Sequence, residues 1–94
     1  MLKGVTPEEY IEILSILMKY DADFYVYGSR VKGDYTKSSD LDILVNSDNY
    51  DYIYRDLKDD FDNSHLPYIV NFADKNNISD EFYSFIKNDL VKIK

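Results

Sequence analysis

The chain has 94 residues, no cysteine and one histidine, which excludes disulfide frameworks, zinc–thiolate sites and catalytic sites that need two histidines. Eleven basic residues against eighteen acidic ones give a net charge of −7, and this disfavours general nucleic-acid binding, which needs a basic face. No apolar run approaches the roughly 18 residues of a membrane span, and no signal-peptide core follows Met1. We therefore expect one cytoplasmic domain over residues 1–94.

The beginning of the chain predicts a helix followed by a strand. Thr6, Pro7 and Glu9 have the spacing of a helix N-cap, a first-turn proline and a capping box. Apolar residues at helical spacing then continue to about Tyr20. Residues 24–27 are aromatic or β-branched, which is typical of a strand, and a glycine follows directly.

The middle of the chain predicts a second strand and a second long helix. A short helix or turn is expected over residues 29–33, and a loop over 34–39. Residues 40–45 alternate acid and apolar before becoming wholly apolar, which indicates a strand whose far end enters the core. Ser47 or Asp48 is expected to cap the next helix. Its expected buried stripe is Tyr50, Ile53, Tyr54, Leu57 and Phe61.

The last third of the chain predicts a strand over residues 67–72 and a helix that begins at Ser79. This helix is expected to bury Phe82, Phe85 and Ile86. Residues 90–94 form a short strand or a frayed tail. The order of elements predicts an α/β (α+β) fold, in which a small mixed β-sheet is packed by helices on at least one face.

Gly28-Ser29 follows the first predicted strand and could hold an anion. Glycine allows positive φ and a close backbone approach, and the next amides can form an anion-binding nest. Arg30 and Lys32 could neutralise phosphate charge. Taken alone, the same pattern also describes an ordinary turn.

Asp40 and Asp42 are spaced to project from one face of the second predicted strand. Two ionised carboxylates held close together repel unless a cation lies between them, and hard oxygen ligands favour Mg²⁺ or Mn²⁺ over zinc. Taken alone, the pair could also be a loop cap and a solvated edge residue. Beside a phosphate-binding turn on a neighbouring strand, it has the arrangement that a nucleoside triphosphate requires.

These residues closely resemble the signature of the nucleotidyltransferase superfamily that shares the DNA polymerase β palm. The matching segments are Gly28-Ser29-Arg30, Gly33, Ser39-Asp40-Leu41-Asp42-Ile43, residues 66–68 and residues 78–82. The resemblance is closest to the minimal nucleotidyltransferase branch of bacteria and archaea, and it covers essentially the whole chain.

The resemblance implies a polymerase β-like fold, with Asp40 and Asp42 as ligands of Mg²⁺ or Mn²⁺ and with Gly28 and Ser29 around the triphosphate of ATP or another NTP. It also implies transfer of a nucleoside monophosphate, commonly AMP, onto a hydroxyl with loss of pyrophosphate. Many members of the branch are antitoxins paired with a HEPN-domain ribonuclease toxin, and some silence that toxin by adenylylating a tyrosine.

Asn71 departs from the family pattern. Similar members carry a third acid on the next strand, and the matching place here is Val70-Asn71-Phe72. That acid completes the metal site and accepts the proton of the attacking hydroxyl, whereas an amide is neutral and cannot act as a general base. Asp74 lies three residues on, where strand alternation turns it to the opposite face. Asn71 is therefore expected at the third catalytic position, with impaired activity.

Two functions follow as hypotheses. The first is an adenylyltransferase in which Arg30 or Lys32 offsets charge on the leaving pyrophosphate. The alternative is a catalytically inactive antitoxin that neutralises its toxin by direct contact, since an acidic surface suits a ribonuclease whose RNA-binding face is basic.

Overall fold

The computed structural model describes residues 2–36 and 39–94, so Met1 and two residues of the predicted loop lie outside it. The helices are α1 (Pro7–Leu17), α2 (Ser29–Lys32), α3 (Tyr50–Asp62) and α4 (Asp80–Ile86), with a 3₁₀ turn at Lys87–Asp89. The strands are β1 (Asp23–Tyr27), β2 (Leu41–Asn46), β3 (Val70–Asp74) and β4 (Val91–Lys92). None of the described helices has the length and apolar character needed to cross a membrane.

The four strands form one mixed sheet in the order β3-β2-β1-β4. β1 is antiparallel to both β2 and β4, whereas β2 and β3 are parallel. Parallel strands need a long crossover connection, and α3 supplies it. The predicted fold class, a small mixed sheet packed by helices, is confirmed, and β3 lies at one border of the sheet.

Both faces of β2 are buried. Leu41, Ile43 and Val45 are fully buried and join the core cluster with residues of α1 and α3. Leu44, which alternation turns to the other face, is fully buried as well. A strand covered on both faces reads as a continuous apolar run, which is why the alternation of acid and apolar residues stops after Asp42.

The predicted start of α1 is confirmed. Thr6 Oγ1 accepts a hydrogen bond from the Glu9 amide at 3.1 Å, and Glu9 Oε1 accepts one from the Thr6 amide at 3.0 Å. The helix ends at Leu17 instead of near Tyr20, because the amides of Lys19 and Tyr20 bond to carbonyls three positions back and tighten the chain into a turn.

The predicted starts of α3 and β3 are wrong by a few residues. α3 begins at Tyr50 after Asn49, and the Ser47 hydroxyl instead accepts from the Asn49 amide at 3.0 Å within a turn before the helix. β3 begins at Val70 and not at residue 67, where a proline has no amide to donate to a sheet.

The buried stripe predicted for α4 is mostly wrong. Ser79 caps the helix as predicted, its hydroxyl accepting from the Phe82 amide at 3.0 Å. Only Ile86 is buried, however, while Phe82 and Phe85 are exposed. The two rings contact partners outside the core: Phe82 meets Tyr27 edge to face, and Phe85 lies beside the Lys32 ammonium.

Candidate active site

The register of the sheet places residues of three strands in one row. Tyr27 of β1 is paired with Asp42 of β2, and Asp42 is paired with Asn71 of β3. Directly paired residues project from the same face of a sheet, with side chains about 5 Å apart. Asp42 therefore lies between an aromatic side chain and the amide at the sequence-predicted third position.

Asn71 connects the two aspartates. Its Nδ2 donates to Oδ2 of Asp40 at 2.8 Å and to Oδ1 of Asp42 at 3.2 Å. Asp40 immediately precedes β2, and the shared donor shows that both carboxylates lie on the same side of the strand. The amide hydrogens offset part of the repulsion between the two carboxylates, at the place where a cation would act most strongly.

Gly28 brings the turn after β1 against Asp42. Its backbone has φ +88° and ψ −155°, a region that only glycine adopts readily. A Cβ at this position would come within 2.8 Å of Oδ2 of Asp42. The absence of a side chain at residue 28 is therefore what allows the turn to lie beside the carboxylate.

α2 begins directly after this turn and leaves amides for a ligand. Val31 and Lys32 donate their amides to the Gly28 carbonyl, both at 3.1 Å. The amides of Ser29 and Arg30 have no acceptor in the part of the chain that the structure describes. The first amides of a helix are free in this way, and they suit the oxygens of a phosphate.

The electrostatics of the site follow from its partial enclosure. Burial raises the pKa of the Asp42 carboxyl above its ordinary value, the Asn71 hydrogen bond opposes this shift, and the nearby charge of Asp40 adds to it. Burial also raises the pKa of the Tyr27 hydroxyl, and the negative charge of Asp42 contributes to that rise. Both shifts have the same main cause, which is that the groups are partly removed from water.

The side chains fit a divalent ion that shares its ligands with a substrate. Within residues 2–36 and 39–94, no group of three or more acidic, histidine or cysteine side chains is placed to hold a metal. Mg²⁺ is commonly bound by one or two carboxylates together with substrate phosphates, which matches Asp40 and Asp42 beside the Gly28 turn. Reversal of the Asn71 amide would add its Oδ1 as a further hard oxygen ligand.

The two predicted phosphate cations direct their charged groups elsewhere. Arg30 is only 1% exposed, and its guanidinium donates to backbone carbonyls. The Lys32 ammonium lies 3.7 Å from a carboxylate oxygen of Asp89 and 5.0 Å from the centre of the Phe85 ring. The structure thus brings together Gly28, Asp40, Asp42 and Asn71 but not the charges of Arg30 and Lys32.

Asp74 lies away from the site, as strand alternation predicts. It is paired with Val45, three positions along β3 from Asn71, and its Oδ1 accepts from the Asn76 amide at 3.0 Å. It therefore does not take the place of the third acid.

An aromatic pair beside the site was missed by the sequence reasoning. The rings of Tyr27 and Phe82 meet edge to face with their centres 5.8 Å apart. The period-two alternation of β1 could have predicted that Tyr27 lies on the same face of the sheet as Asp42. Nothing in the sequence of α4, however, indicates that Phe82 packs against Tyr27.

Comparison with known proteins identifies the family of the chain. A sequence profile described as the nucleotidyltransferase domain matches residues 7–93, and the chain belongs to that family as a minimal nucleotidyltransferase domain protein. The chain is also similar to the probable protein adenylyltransferase MntA of Haemophilus influenzae, at 35% identity over 94 aligned positions. The match spans 96% of this chain and 82% of that relative.

Proposed function

We propose that the protein transfers AMP from ATP to a hydroxyl group of another protein in a Mg²⁺-dependent reaction. The observation that carries the proposal is the contact of one side chain, Asn71, with both Asp40 and Asp42, beside a turn that approaches Asp42 because it has glycine at residue 28. This arrangement matches a triphosphate with a metal between its oxygens and the protein. The name of the Haemophilus relative supports adenylyl transfer to a protein.

One group of residues is proposed to bind the phosphates and another to bind the metal ion. The free amides of Ser29 and Arg30 would hold the β- and γ-phosphates, while Asp40 and Asp42 would hold Mg²⁺. When bound, the ion neutralises charge on the phosphates and polarises the reacting phosphorus. The acceptor oxygen bonds to the α-phosphorus, the bond from that phosphorus to the bridging oxygen breaks, and pyrophosphate leaves.

Asn71 limits the rate of this reaction. The acceptor hydroxyl must lose its proton, and an amide cannot take it, so in the unmodified chain the proton passes to solvent water. General-base catalysis typically contributes about 10²–10⁴ in rate, so transfer by the unmodified chain should be slow and should increase when residue 71 is an aspartate.

We further propose that the acceptor is a HEPN-domain ribonuclease toxin and that the protein is its antitoxin, acting in the cytoplasm. The net charge of −7 suits a partner with a basic RNA-binding face.

The test is label transfer from ATP labelled at the α-phosphate, with Mg²⁺ and the HEPN-domain protein proposed as the acceptor. We expect label on the partner with the unmodified chain, more with Asn71→Asp, and none with Asp42→Asn. Asp48→Asn is the matched control, because it removes the same charge from an exposed position at the other end of β2. The proposed transferase activity would be contradicted if neither the unmodified chain nor Asn71→Asp transferred label.

One observation favours the second candidate, an antitoxin that acts by contact alone. Asn71 donates to an oxygen of each aspartate, and a neutral amide in this position partly offsets their repulsion in the way that a site without catalytic chemistry would need. Inhibition of the partner that persists in Asp42→Asn, without label transfer by any variant, would establish this alternative.

A further inference from the structure

We propose that Arg30 is a positioning residue of this site. Its buried guanidinium fixes the start of β2, and with it Asp40, relative to the Gly28 turn, instead of binding phosphate. This inference rests on the proposed function, in which Asp40 is a metal ligand.

The guanidinium connects α2 to the residue before Asp40. Nε and Nη2 of Arg30 both donate to the carbonyl oxygen of Ser39, at 3.2 and 2.8 Å. This is a two-pronged bond of the kind that only the planar fork of arginine makes. Arg30 itself lies two residues after Gly28, so one side chain joins the phosphate-binding turn to the metal-binding end of β2.

The N-terminal segment is shaped around the same group. Nη1 donates to the carbonyls of Lys3 at 3.3 Å and Gly4 at 3.1 Å, and the Arg30 carbonyl accepts from the Lys3 amide at 3.0 Å. Gly4 has φ +74°, and a Cβ there would lie 2.6 Å from Nη1. Residues 3 and 4 therefore close over the guanidinium only because residue 4 is glycine.

The charge of Arg30 is compensated without a carboxylate. No acidic side chain of the described residues forms an ion pair with it. Instead its central carbon lies 4.1 Å from the centre of the Tyr68 ring and 5.7 Å from that of Tyr35. A buried cation is costly unless its donors are satisfied, and here carbonyl oxygens and aromatic faces satisfy them.

The same bonds leave little capacity for phosphate. A guanidinium has five N–H donors, and Arg30 makes four hydrogen bonds to carbonyls. Bidentate binding of a phosphate takes two donors. The geometry is therefore that of a residue that holds the backbone of the site.

The experiment measures Mn²⁺ affinity by electron paramagnetic resonance and metal-free ATP affinity by calorimetry in EDTA, on the full chain. Arg30→Lys keeps the charge but loses the fork. Gly4→Ala keeps Arg30 and displaces its guanidinium. Lys32→Gln is the matched control, since it removes a cation from the exposed side of the same short helix.

We expect the dissociation constant for Mn²⁺ to rise about 10-fold or more in Arg30→Lys and Gly4→Ala, which is typical when support of a metal ligand is lost. We expect metal-free ATP affinity to change less than Mn²⁺ affinity in both, and Lys32→Gln to leave Mn²⁺ affinity unchanged. Thermal unfolding followed by circular dichroism shows which variants fold. If Arg30→Lys does not fold, the test uses Gly4→Ala.

Wild-type Mn²⁺ affinity in the folded variants, or a loss of ATP affinity as large as the loss of Mn²⁺ affinity, overturns the inference. So does an unmodified chain that binds no Mn²⁺. Failure of the proposed function is separate, because it is read from label transfer to the partner, which the Mn²⁺ measurement does not require.

Discussion

Gly28, in the turn directly after β1, lies against Asp42 of the neighbouring strand β2, and this close approach is possible because residue 28 has no side chain. A Cβ on Gly28 would lie 2.8 Å from Oδ2 of Asp42, and the φ of +88° is itself unfavourable for any other residue. The turn proposed to hold phosphate and the carboxylate proposed to hold the metal are thus fixed against one another.

Gly28→Ala should therefore cost both stability and metal affinity. Backbone strain of this kind costs about 1–3 kcal/mol, and the methyl group must also push the Asp42 carboxylate away. Urea unfolding gives the first effect and Mn²⁺ binding the second.

Gly33→Ala is the matched control for Gly28→Ala. Gly33 also has positive φ, at +99°, but a Cβ there would meet only the flexible end of Lys3, at 3.2 Å. Gly33→Ala should lower the free energy of unfolding and leave Mn²⁺ affinity unchanged. Equal losses of Mn²⁺ affinity in the two variants would show that strain alone, and not the contact with Asp42, is responsible.

Asn71→Asp should make stability depend on metal. A third carboxylate replaces the donor that now bridges Asp40 and Asp42, so repulsion lowers the melting temperature in EDTA. Bound Mg²⁺ stabilises the folded state in proportion to the logarithm of its concentration over its dissociation constant, so excess Mg²⁺ should raise the melting temperature more than in the unmodified chain.

Asn77→Asp controls for the added charge, since it places a carboxylate at an exposed position in the turn after β3. Its melting temperature should respond to Mg²⁺ as the unmodified chain does. The assignment of residue 71 to the metal site is contradicted if both variants respond alike.

Asp60 should contribute stability that is lost in acid. Its Oδ2 accepts from the Tyr20 hydroxyl at 2.5 Å and lies 2.8 Å from the Lys19 ammonium. Hydrogen bonds from Lys19 and Tyr20 lower the pKa of Asp60 below 3.8, against a smaller opposing effect of burial. A carboxyl with a lowered pKa stabilises the fold above its unfolded pKa, and this contribution disappears as the pH falls through the folded value.

Asp60→Asn should consequently lower the free energy of unfolding at pH 6 and lose less of it than the unmodified chain between about pH 4 and pH 2. Asp59→Asn removes the same charge from an exposed neighbour near the same helix end. Urea unfolding at several pH values checks both variants. An acid dependence of Asp60→Asn identical to that of the unmodified chain would refute the assignment.

Ser79→Ala should destabilise the fold by about 1 kcal/mol, because it leaves the Phe82 amide at the start of α4 without its acceptor. Ser84→Ala, at an exposed position within α4, should have little effect or stabilise slightly, since alanine is the better helix former. Thermal unfolding of the two variants measures the difference, and equal effects would show that the cap contributes nothing.

Local patterns predicted the elements that are stabilised locally. The capping box of Thr6 and Glu9 fixes the start of α1, and alternation on β2 identifies the strand that carries Asp42. The start of β3 was misplaced because it depends on pairing with β2, which residues 67–72 do not encode by themselves.

The contacts of Arg30 likewise depend on segments that are distant in the sequence. Next to Gly28-Ser29 it has the position of a phosphate-binding cation, but its partners come from Lys3, Gly4 and Ser39. Residues 3 and 4 are 26 and more positions away in the chain, and only tertiary structure brings their carbonyls to the guanidinium. Spacing predicted that Gly28, Asp40 and Asp42 lie close together, and the family resemblance added Asn71, but neither indicated where the guanidinium of Arg30 would point.

The position of β3 at the border of the sheet has a consequence for access. Asn71 is exposed on a strand with no neighbour beyond it in the described sheet, and Asp40 and Asp42 beside it are partly exposed. The protein acceptor proposed above would therefore reach the aspartates across this border, through one of its own loops, and would not have to enter a narrow cleft.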